Sequence, residues 1–314
     1  MKKTVILCLS VLLLWSCGNK VERSGWRFSN DVYVAIDETF RPIMDEELKT
    51  FGLQPRNIDV ELHPVYCSED SAIKMLVADS IRSCVATRLL SEYERQQIAA
   101  NKLSLMWHLI GTDAFALVMN KENPDTLISV DELRRIVSGE ITRWEQLRHS
   151  RKKGELSLVF DHSGSSTVRF MRDSLCDGKE LKGRLYAQGS NLSVIDYVKG
   201  DSMVIGVVGT NWLKNPSEVV LNDFSDLDVH VMKVTRDTTL DAIGFRPYQY
   251  RIATGDYPLL RSVYVMTTDP RRNSSTQLFH YFLKGQKGQT IILNGSQMLP
   301  ITPVQVKSVS VVRE

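Results

Sequence analysis

LSLVFDHSGSSTVRFMRDSL, from Leu156 to Leu175, is the stretch on which the fold prediction depends. Its apolar start, Leu158–Phe160, is typical of the end of a buried strand, and Ser163–Thr167 is a small turn rich in hydroxyl groups. Apolar side chains at helical spacing follow. A strand, a hydroxyl turn and a helix N-terminus in succession predict an oxyanion site, because free backbone N–H groups and the positive end of the helix dipole converge there. The simpler alternative is that Ser165 or Ser166 only caps the helix.

The N-terminal residues are typical of an export signal. Lys2 and Lys3 precede the apolar run Val5–Trp15, which is too short for a stable membrane-spanning helix. A small residue, Ser16, then stands before Cys17, which is the cleavage pattern of a lipoprotein signal peptide. We therefore predict a signal peptide over 1–16, lipidation of Cys17 and a polar tether over 17–30. The alternative is an ordinary secretory peptide with an incidental cysteine.

The mature chain is expected to carry no net charge. The sequence contains 39 Lys and Arg against 37 Asp and Glu, and removal of Lys2 and Lys3 makes the two counts equal. A neutral chain argues against a broad basic surface, so we expect no nucleic-acid partner. Cys67, Cys84 and Cys176 have no CxxC spacing, so they allow one disulfide but predict neither a disulfide framework nor a metal site. No cofactor is expected.

Strands and helices alternate along the first half of the chain. Asp31–Asp37 and Ile58–Cys67 are typical of strands, and each precedes a segment with an apolar stripe at helical spacing. Capping boxes at Ser91 with Glu94 and at Ser129 with Glu132 predict two further helix starts. This β-α-β-α order predicts a parallel sheet flanked by helices.

Two further apolar spans predict strands in the middle of the chain. Leu103–Asn120, interrupted by Gly111, predicts either two strands or one strand that crosses between lobes. VHVMKV, from Val229 to Val234, predicts one more strand.

SVDELRRIVSGEITRWEQL, from Ser129 to Leu147, resembles the "L-x-x-I-F-S-G-x-I-x-x-W" segment of PstS-type phosphate-binding proteins. Other segments resemble motifs of the same family in the same order: ATRLLSEYE (86–94), SGSSTVRF (163–170), MVIGVVGTNWL (203–213), YPLLRSVYV (257–265) and GQTIILNGSQMLP (288–300). The resemblance extends over roughly residues 31–308, and the order of the motifs makes it more specific than any single one.

The resemblance implies an α/β fold of the periplasmic-binding-protein type. Two α/β lobes would be joined by crossing strands, with a ligand cleft that closes by a hinge motion. We place lobe 1 at 31–116 plus 246–314 and lobe 2 at 117–245. The family further implies a monomer that passes its ligand to an ABC permease. Together with the predicted lipid anchor, this implies a protein of the cell envelope, attached to the membrane and facing the periplasm.

The resemblance also implies a set of ligand residues in four loops. The loop after the first strand would supply Thr39 and Phe40, and the second loop Ser68, with Ser71 as second choice. The third loop carries Thr87 and Arg88. The fourth carries Asp161, Ser165, Ser166, Thr167 and Arg169. Mostly neutral donors from both lobes would then surround a tetrahedral oxyanion.

Two positions depart from the family pattern. Asp161 stands where phosphate receptors carry an arginine, and Thr87 stands where they carry an acidic proton acceptor. An Asp that faces a bound dianion is unfavourable, because like charges repel strongly in a desolvated cleft. Either Arg88 or Arg169 supplies the charge while Asp161 orients it or accepts the phosphate proton, or Asp161 caps the loop and points away, or the ligand is not phosphate. For either arginine, a surface ion pair is the alternative.

Two other functions compete with phosphate capture. Asp161, His162 and Ser163 suggest a serine hydrolase, but consecutive residues of an extended chain point in opposite directions, and the G-x-S-x-G elbow is absent. We therefore expect no enzyme. The second competitor is a lipoprotein of this fold with a sensing, adhesion or assembly role and no tight phosphate binding. The favoured prediction is a lipid-anchored solute-binding protein that captures phosphate, or a related oxyanion, for an ABC importer.

Overall fold

The computed structural model describes residues 31–57, 60–213, 224–271 and 274–303. The predicted signal peptide, the lipidated Cys17 and the tether lie outside the described residues. Within those ranges, no helix is long and apolar enough to cross a membrane.

The strands and helices alternate much as the sequence predicts. The strands are β1 (Asp31–Asp37), β2 (Glu61–Cys67), β3 (Ser83–Ala86), β4 (Met106–Asn120), β5 (Leu127–Ser129), β6 (Ser157–Phe160), β7 (Leu185–Ala187), β8 (Val204–Gly209), β9 (Val229–Val231), β10 (Lys233–Thr235), β11 (Leu260–Thr267) and β12 (Leu299–Pro300). The helices are α1 (Arg41–Gly52), α2 (Glu69–Val77), α3 (Glu92–Ala100), α4 (Val130–Val137), α5 (Ser166–Phe170), α6 (Asn191–Gly200), α7 (Gln249–Ala253), α8 (Ser275–Lys284) and α9 (Gln286–Gly295). A π-helical turn, Met171–Leu175, continues α5.

One continuous sheet passes through the molecule in the order β2-β1-β3-β11-β4-β8-β6-β7. In its first half β1 pairs in parallel with β2 and β3, and β11 runs antiparallel to β3 and β4. In its second half β6 pairs in parallel with β7 and β8, while β8 and β9 run antiparallel to β4. We call these halves, with the helices on them, the first and second lobes.

Of the two alternatives predicted for residues 103–120, the structure contains the second, a single strand that crosses between the lobes. The early part of β4 pairs with β11 and its last part, Phe115–Val118, pairs with β8. Gly111 does not end the strand. It permits close packing instead, since a Cβ there would lie 3.1 Å from the Leu299 carbonyl oxygen and 3.2 Å from Met298 Cε.

The prediction of one strand over Val229–Val234 is wrong. Met232 separates β9 from β10; β9 joins the main sheet beside β4, whereas β10 pairs with β5 in a separate two-stranded sheet. The alternation changes phase at the break, because Val231 and Met232 are consecutive and both buried, and Val234 continues the new phase. The overall apolar character of the segment predicts a single strand, and only this change of phase marks where one strand ends and the next begins.

Both faces of each lobe's sheet are covered. In the first lobe, Ile36 and Val85 contribute to a core shared with α1, α8 and α9, while Cys84 packs on the other face with α2 and α3. In the second lobe, Leu158 and Phe160 belong to a core with α4, and Val159 faces α6 on the opposite side. Strands that are buried on two faces are expected to read as continuous apolar runs, which is what the sequence contains.

The exact limits of the lobes, 31–116 plus 246–314 and 117–245, stay a prediction. Ile252, Tyr257 and Leu259 pack with the core of the second lobe, and the Tyr257 hydroxyl donates to the Phe115 carbonyl oxygen at 2.5 Å. We therefore propose that the chain returns to the first lobe at about Leu260, where β11 begins, rather than at residue 246.

Candidate functional site

The candidate site lies between the lobes, where loops from the C-terminal ends of β1, β2, β3 and β6 meet. The crevice beyond the carboxyl ends of strands is the usual ligand position in open α/β sheets. The predicted ligand residues therefore come from loops that the topology brings together.

The loop after β1 is held by its own carboxylate. Asp37 Oδ1 accepts hydrogen bonds from Thr39 N at 3.1 Å and from Thr39 Oγ1 at 2.9 Å. The Thr39 carbonyl oxygen accepts from Asn211 Nδ2 at 2.9 Å and from Trp212 Nε1 at 2.8 Å, and those two residues follow β8 of the second lobe. Thr39 is therefore held by contacts from both lobes. Asp37, and not Thr39, caps the short 3-10 helix Glu38–Phe40 that begins at this turn.

The hydroxyl turn after β6 forms the opposite wall. Ser165 caps α5 by accepting from Val168 N at 3.4 Å, and its hydroxyl lies 2.6 Å from Thr167 Oγ1. Thr167 Oγ1 in turn donates to Asp161 Oδ1 at 2.7 Å. Ser165, Ser166 and Thr167 are all buried. The turn thus combines the predicted cap with a cluster of buried hydroxyls at a helix N-terminus.

Ser68 begins the neighbouring helix of the first lobe. It caps α2 by accepting from Ser71 N at 3.4 Å, and the two serine hydroxyls lie 2.9 Å apart. Asp70 N, in the same turn, lies 3.5 Å from the Gly164 carbonyl oxygen of the second lobe. A Cβ on Gly164 would stand 3.6 Å from Ser68 Oγ. The N-termini of α2 and α5 therefore face each other across the cleft.

Thr87 and Arg169 meet on Glu69, a residue that the sequence analysis does not single out. Glu69 Oε1 accepts from Thr87 N and Thr87 Oγ1, both at 2.6 Å, and Glu69 Oε2 accepts from Arg169 Nε at 2.5 Å. Arg169 Nη2 also donates to Thr87 Oγ1 at 2.7 Å. Burial acts to raise the pKa of Glu69, but Arg169 and the Thr87 hydrogen bonds outweigh it and hold that pKa below its usual value. Glu69 is therefore an ionised partner of Arg169.

Arg88 is directed elsewhere. Its guanidinium makes two parallel hydrogen bonds to Glu94, Nη1 to Oε2 at 2.7 Å and Nη2 to Oε1 at 2.8 Å. This contact favours the ion-pair alternative for Arg88, and its role toward a ligand stays a prediction.

Asp161 is fully buried and points into the space between the lobes. Besides Thr167, its carboxylate accepts from Asn191 Nδ2 at 3.3 Å and lies 3.4 Å from Thr39 Oγ1. The structure therefore contradicts the alternative in which Asp161 points away from the cleft. The donors on Asp161 are neutral, and the described hydrogen bonds of Arg88 and Arg169 go to other residues.

Several residues around the cleft escape the sequence analysis. Asp37 and Glu38 are buried acids, and burial raises the pKa of Asp37 to about 7 and that of Glu38 above its usual value. Asn191 begins α6 and bridges the lobes through Nδ2, which donates to Glu38 Oε2 at 2.9 Å. Arg261, in the YPLLR motif, donates to Ser166 Oγ at 2.5 Å. The two acids stand at the end of a predicted strand and so carry a sequence signal, whereas Asn191 and Arg261 reach the site through tertiary contacts.

The serine-hydrolase alternative finds no support in this geometry. Asp161 is buried while Ser163 is exposed, so these residues do not converge. A Ser83–His280 pair does exist, with Oγ 2.9 Å from Nε2, but it is buried, and burial lowers the pKa of His280 to about 3. His280 Nδ1 has no hydrogen-bond partner within the described chain, so no carboxylate orients the ring.

Two α/β lobes joined by a crossing strand, with donor-rich loops between them, define a two-lobed binding protein. Residues 29–284 match the model of the PBP superfamily domain, and the chain belongs to that superfamily. The fold predicted from the sequence is thereby confirmed.

Several individual proteins that this chain resembles are phosphate-binding proteins. The phosphate-binding protein PstS of Borreliella burgdorferi is 25% identical over 306 residues, which covers 93% of this chain and 96% of the relative. A substrate-binding protein from Clostridium perfringens, crystallised with bound phosphate, has a TM-score of 0.67 at 18% identity and covers 87% of this chain and 100% of its own. An ABC-type phosphate transport receptor from Vibrio cholerae has a TM-score of 0.63 at 17% identity, with coverage of 87% and 100%. At these identities the two structures show the fold alone.

Proposed function

We propose that this protein captures phosphate between its lobes and acts as the substrate-binding component of an ABC importer. The observation that carries the proposal is the cross-lobe cluster of hydroxyl groups, in which Thr39 of the first lobe and Thr167 of the second approach the same carboxylate, that of Asp161. Each hydroxyl has one proton, which it now donates to a carboxylate oxygen, and a phosphate oxygen would replace that carboxylate oxygen as the acceptor. The PstS relatives support the same ligand.

The chemistry would be recognition by many short hydrogen bonds in a dehydrated cleft. Ser165, Thr167 and the N-terminus of α5 would supply neutral donors from one side, and Thr39 and Ser68 from the other. Asp161 would accept the proton of hydrogen phosphate. Sulfate carries no such proton, so Asp161 would reject it by leaving two anionic oxygens in contact.

The cellular setting is also a proposal. Cys17 would carry a lipid that anchors a periplasm-facing monomer to the membrane, and an ABC permease would receive the phosphate. Binding would involve no catalysis, cofactor or metal.

Isothermal titration of the mature chain, stripped of ligand by partial unfolding, tests the ligand. Phosphate is expected to bind at micromolar levels or tighter. Thr167→Val is expected to weaken binding about 10- to 100-fold, the range for a lost hydrogen bond to a charged group. Thr254→Val, which removes a hydroxyl bonded to Asp256 at 2.7 Å far from the cleft, is the matched control. Absence of phosphate binding in the unmodified chain would contradict the proposal and favour the sensing, adhesion or assembly role.

Asp161→Asn tests selectivity separately. The amide keeps the size of the side chain but carries no charge, so it no longer repels a fully ionised oxyanion. We expect competition titrations to show a reduced preference for phosphate over sulfate, chiefly through stronger sulfate binding. A variant that keeps the full preference would assign selectivity to another group.

A further inference from the structure

The buried charged groups around the cleft are mostly acids, and none of those acids supplies a positive charge to the proposed ligand. Asp37, Glu69 and Asp161 are fully buried acids, and Glu38 is nearly so. Arg169 is engaged by Glu69, as described above. A nearby positive charge would stabilise a bound phosphate further than neutral donors alone, and the contacts of Arg169 do not supply one.

Arg261 lies where such a cation is needed. It extends from β11 at the base of the cleft, and its side chain is only 3% exposed. Its Nη1 donates to Ser166 Oγ, in the hydroxyl turn of the second lobe. Its guanidinium lies 4.8 Å from the ring centre of Phe40, the predicted ligand residue of the first lobe, and 4.1 Å from that of Phe115. Arg261 therefore contacts ligand loops of both lobes.

The orientation of Arg261 is held by Asp113 on the neighbouring strand β4. Asp113 Oδ2 accepts from Nε at 2.9 Å and lies 2.8 Å from Nη2, while Asp113 Oδ1 accepts from Thr210 Oγ1 at 2.8 Å. Nη2 is buried, and although it lies within ion-pair distance of Asp113 Oδ2, the angle does not make a hydrogen bond. Nη2 carries two N–H groups, and the single contact with Asp113 leaves at least one of them to donate to an anion.

We propose that Arg261 supplies the positive charge for the bound oxyanion, in place of an arginine at position 161, and that Asp113 is its positioning residue. This inference rests on the proposed capture of phosphate. The positive charge is thus supplied by Arg261 on β11. When the lobes close, Ser166 of the second lobe and Phe40 of the first lobe both contact its guanidinium group. A planar, permanently charged fork also suits a tetrahedral oxyanion better than an ammonium does.

Phosphate titrations of Arg261→Met and Arg261→Lys test this role. Arg261→Met is expected to lose at least about 100-fold in affinity, and Arg261→Lys, which keeps the charge but not the fork, about tenfold. Arg251→Met is the matched control, since Arg251 also pairs with an aspartate and lies over aromatic rings but belongs to α7, away from the cleft. Circular dichroism and thermal midpoints establish that each variant is folded.

The outcomes separate this inference from the proposed function. If the unmodified chain does not bind phosphate, both fail. If it binds phosphate and a folded Arg261→Met variant binds within about twofold of it, the role of Arg261 is overturned while phosphate capture stands. If Arg261→Met does not fold, Arg261→Lys decides: weakened binding supports the role, and unchanged affinity overturns it.

Discussion

Glu47 is a buried carboxyl group away from the ligand loops. It lies on α1 with no exposed surface, and neither of its side-chain oxygens has a hydrogen-bond partner within the described chain. Burial, with a smaller contribution from Glu46, raises the pKa of Glu47 from 4.5 to about 9. Between those values the folded state holds a proton that the unfolded state releases. The contribution of Glu47 to stability therefore falls as pH rises through this window.

Replacing Glu47 by Met, a neutral side chain of similar length, is expected to stabilise the protein. The gain in the free energy of unfolding should be about 1–3 kcal/mol at pH 8, because the substitution removes an unsatisfied polar group and the proton uptake on folding. At pH 5 the gain should be smaller, since both states are then closer to full protonation. Urea unfolding at the two pH values measures the difference. Lys49→Met, at an exposed position of the same helix, is the control. A loss of stability at pH 8, or a gain independent of pH, would contradict the expectation.

At the scale of secondary-structure elements, sequence predicts what is determined locally. The capping boxes at Ser91 with Glu94 and at Ser129 with Glu132 form as predicted, because each joins groups three residues apart. Ser68 and Ser165 likewise cap the helices that follow them. These signals place four helix starts without any knowledge of the tertiary structure.

Tertiary contacts explain what sequence does not predict. Arg261 meets Asp113 and Ser166 at separations of 148 and 95 residues, and Asn191 meets Glu38 at 153. No local pattern of charge or hydropathy contains such pairs. The family resemblance identifies the loops and includes Arg261 in the motif YPLLRSVYV, but it does not assign that arginine to the ligand site. The candidate site was therefore predictable loop by loop, but its charge balance was not.

At the scale of the whole molecule, the lobes are joined across the cleft by polar contacts. Glu69 pairs with Arg169, Asn191 donates to Glu38, and Trp212 Nε1 donates to the Thr39 carbonyl oxygen. These contacts surround the proposed ligand position. A ligand that adds donor and acceptor contacts to both walls would shift a hinge equilibrium toward this closed arrangement.

Gly209, at the end of β8, lies where the two lobes approach each other closely, and closure depends on the absence of a side chain at this position. A Cβ at this position would lie 2.5 Å from Thr39 Cγ2 of the opposite lobe and 3.2 Å from Asn211 Nδ2. The backbone of Gly209 is not in the left-handed region, so alanine fits there when the lobes are apart. The penalty should therefore fall mainly on the closed arrangement.

Gly209→Ala is expected to weaken phosphate binding by at least about tenfold, because a displacement of Thr39 or an incomplete closure would cost more than about 1.4 kcal/mol. The thermal midpoint without phosphate should change little, since the core of each lobe is untouched. Titration measures the affinity, and small-angle scattering with saturating phosphate should give a larger radius of gyration than the unmodified chain. Gly200→Ala, where a Cβ meets no atom within 4 Å, is the matched control in the same lobe. Unchanged affinity and radius in Gly209→Ala would mean that the approach of β8 to Thr39 is not required for binding, and closure would then depend on the side-chain contacts alone.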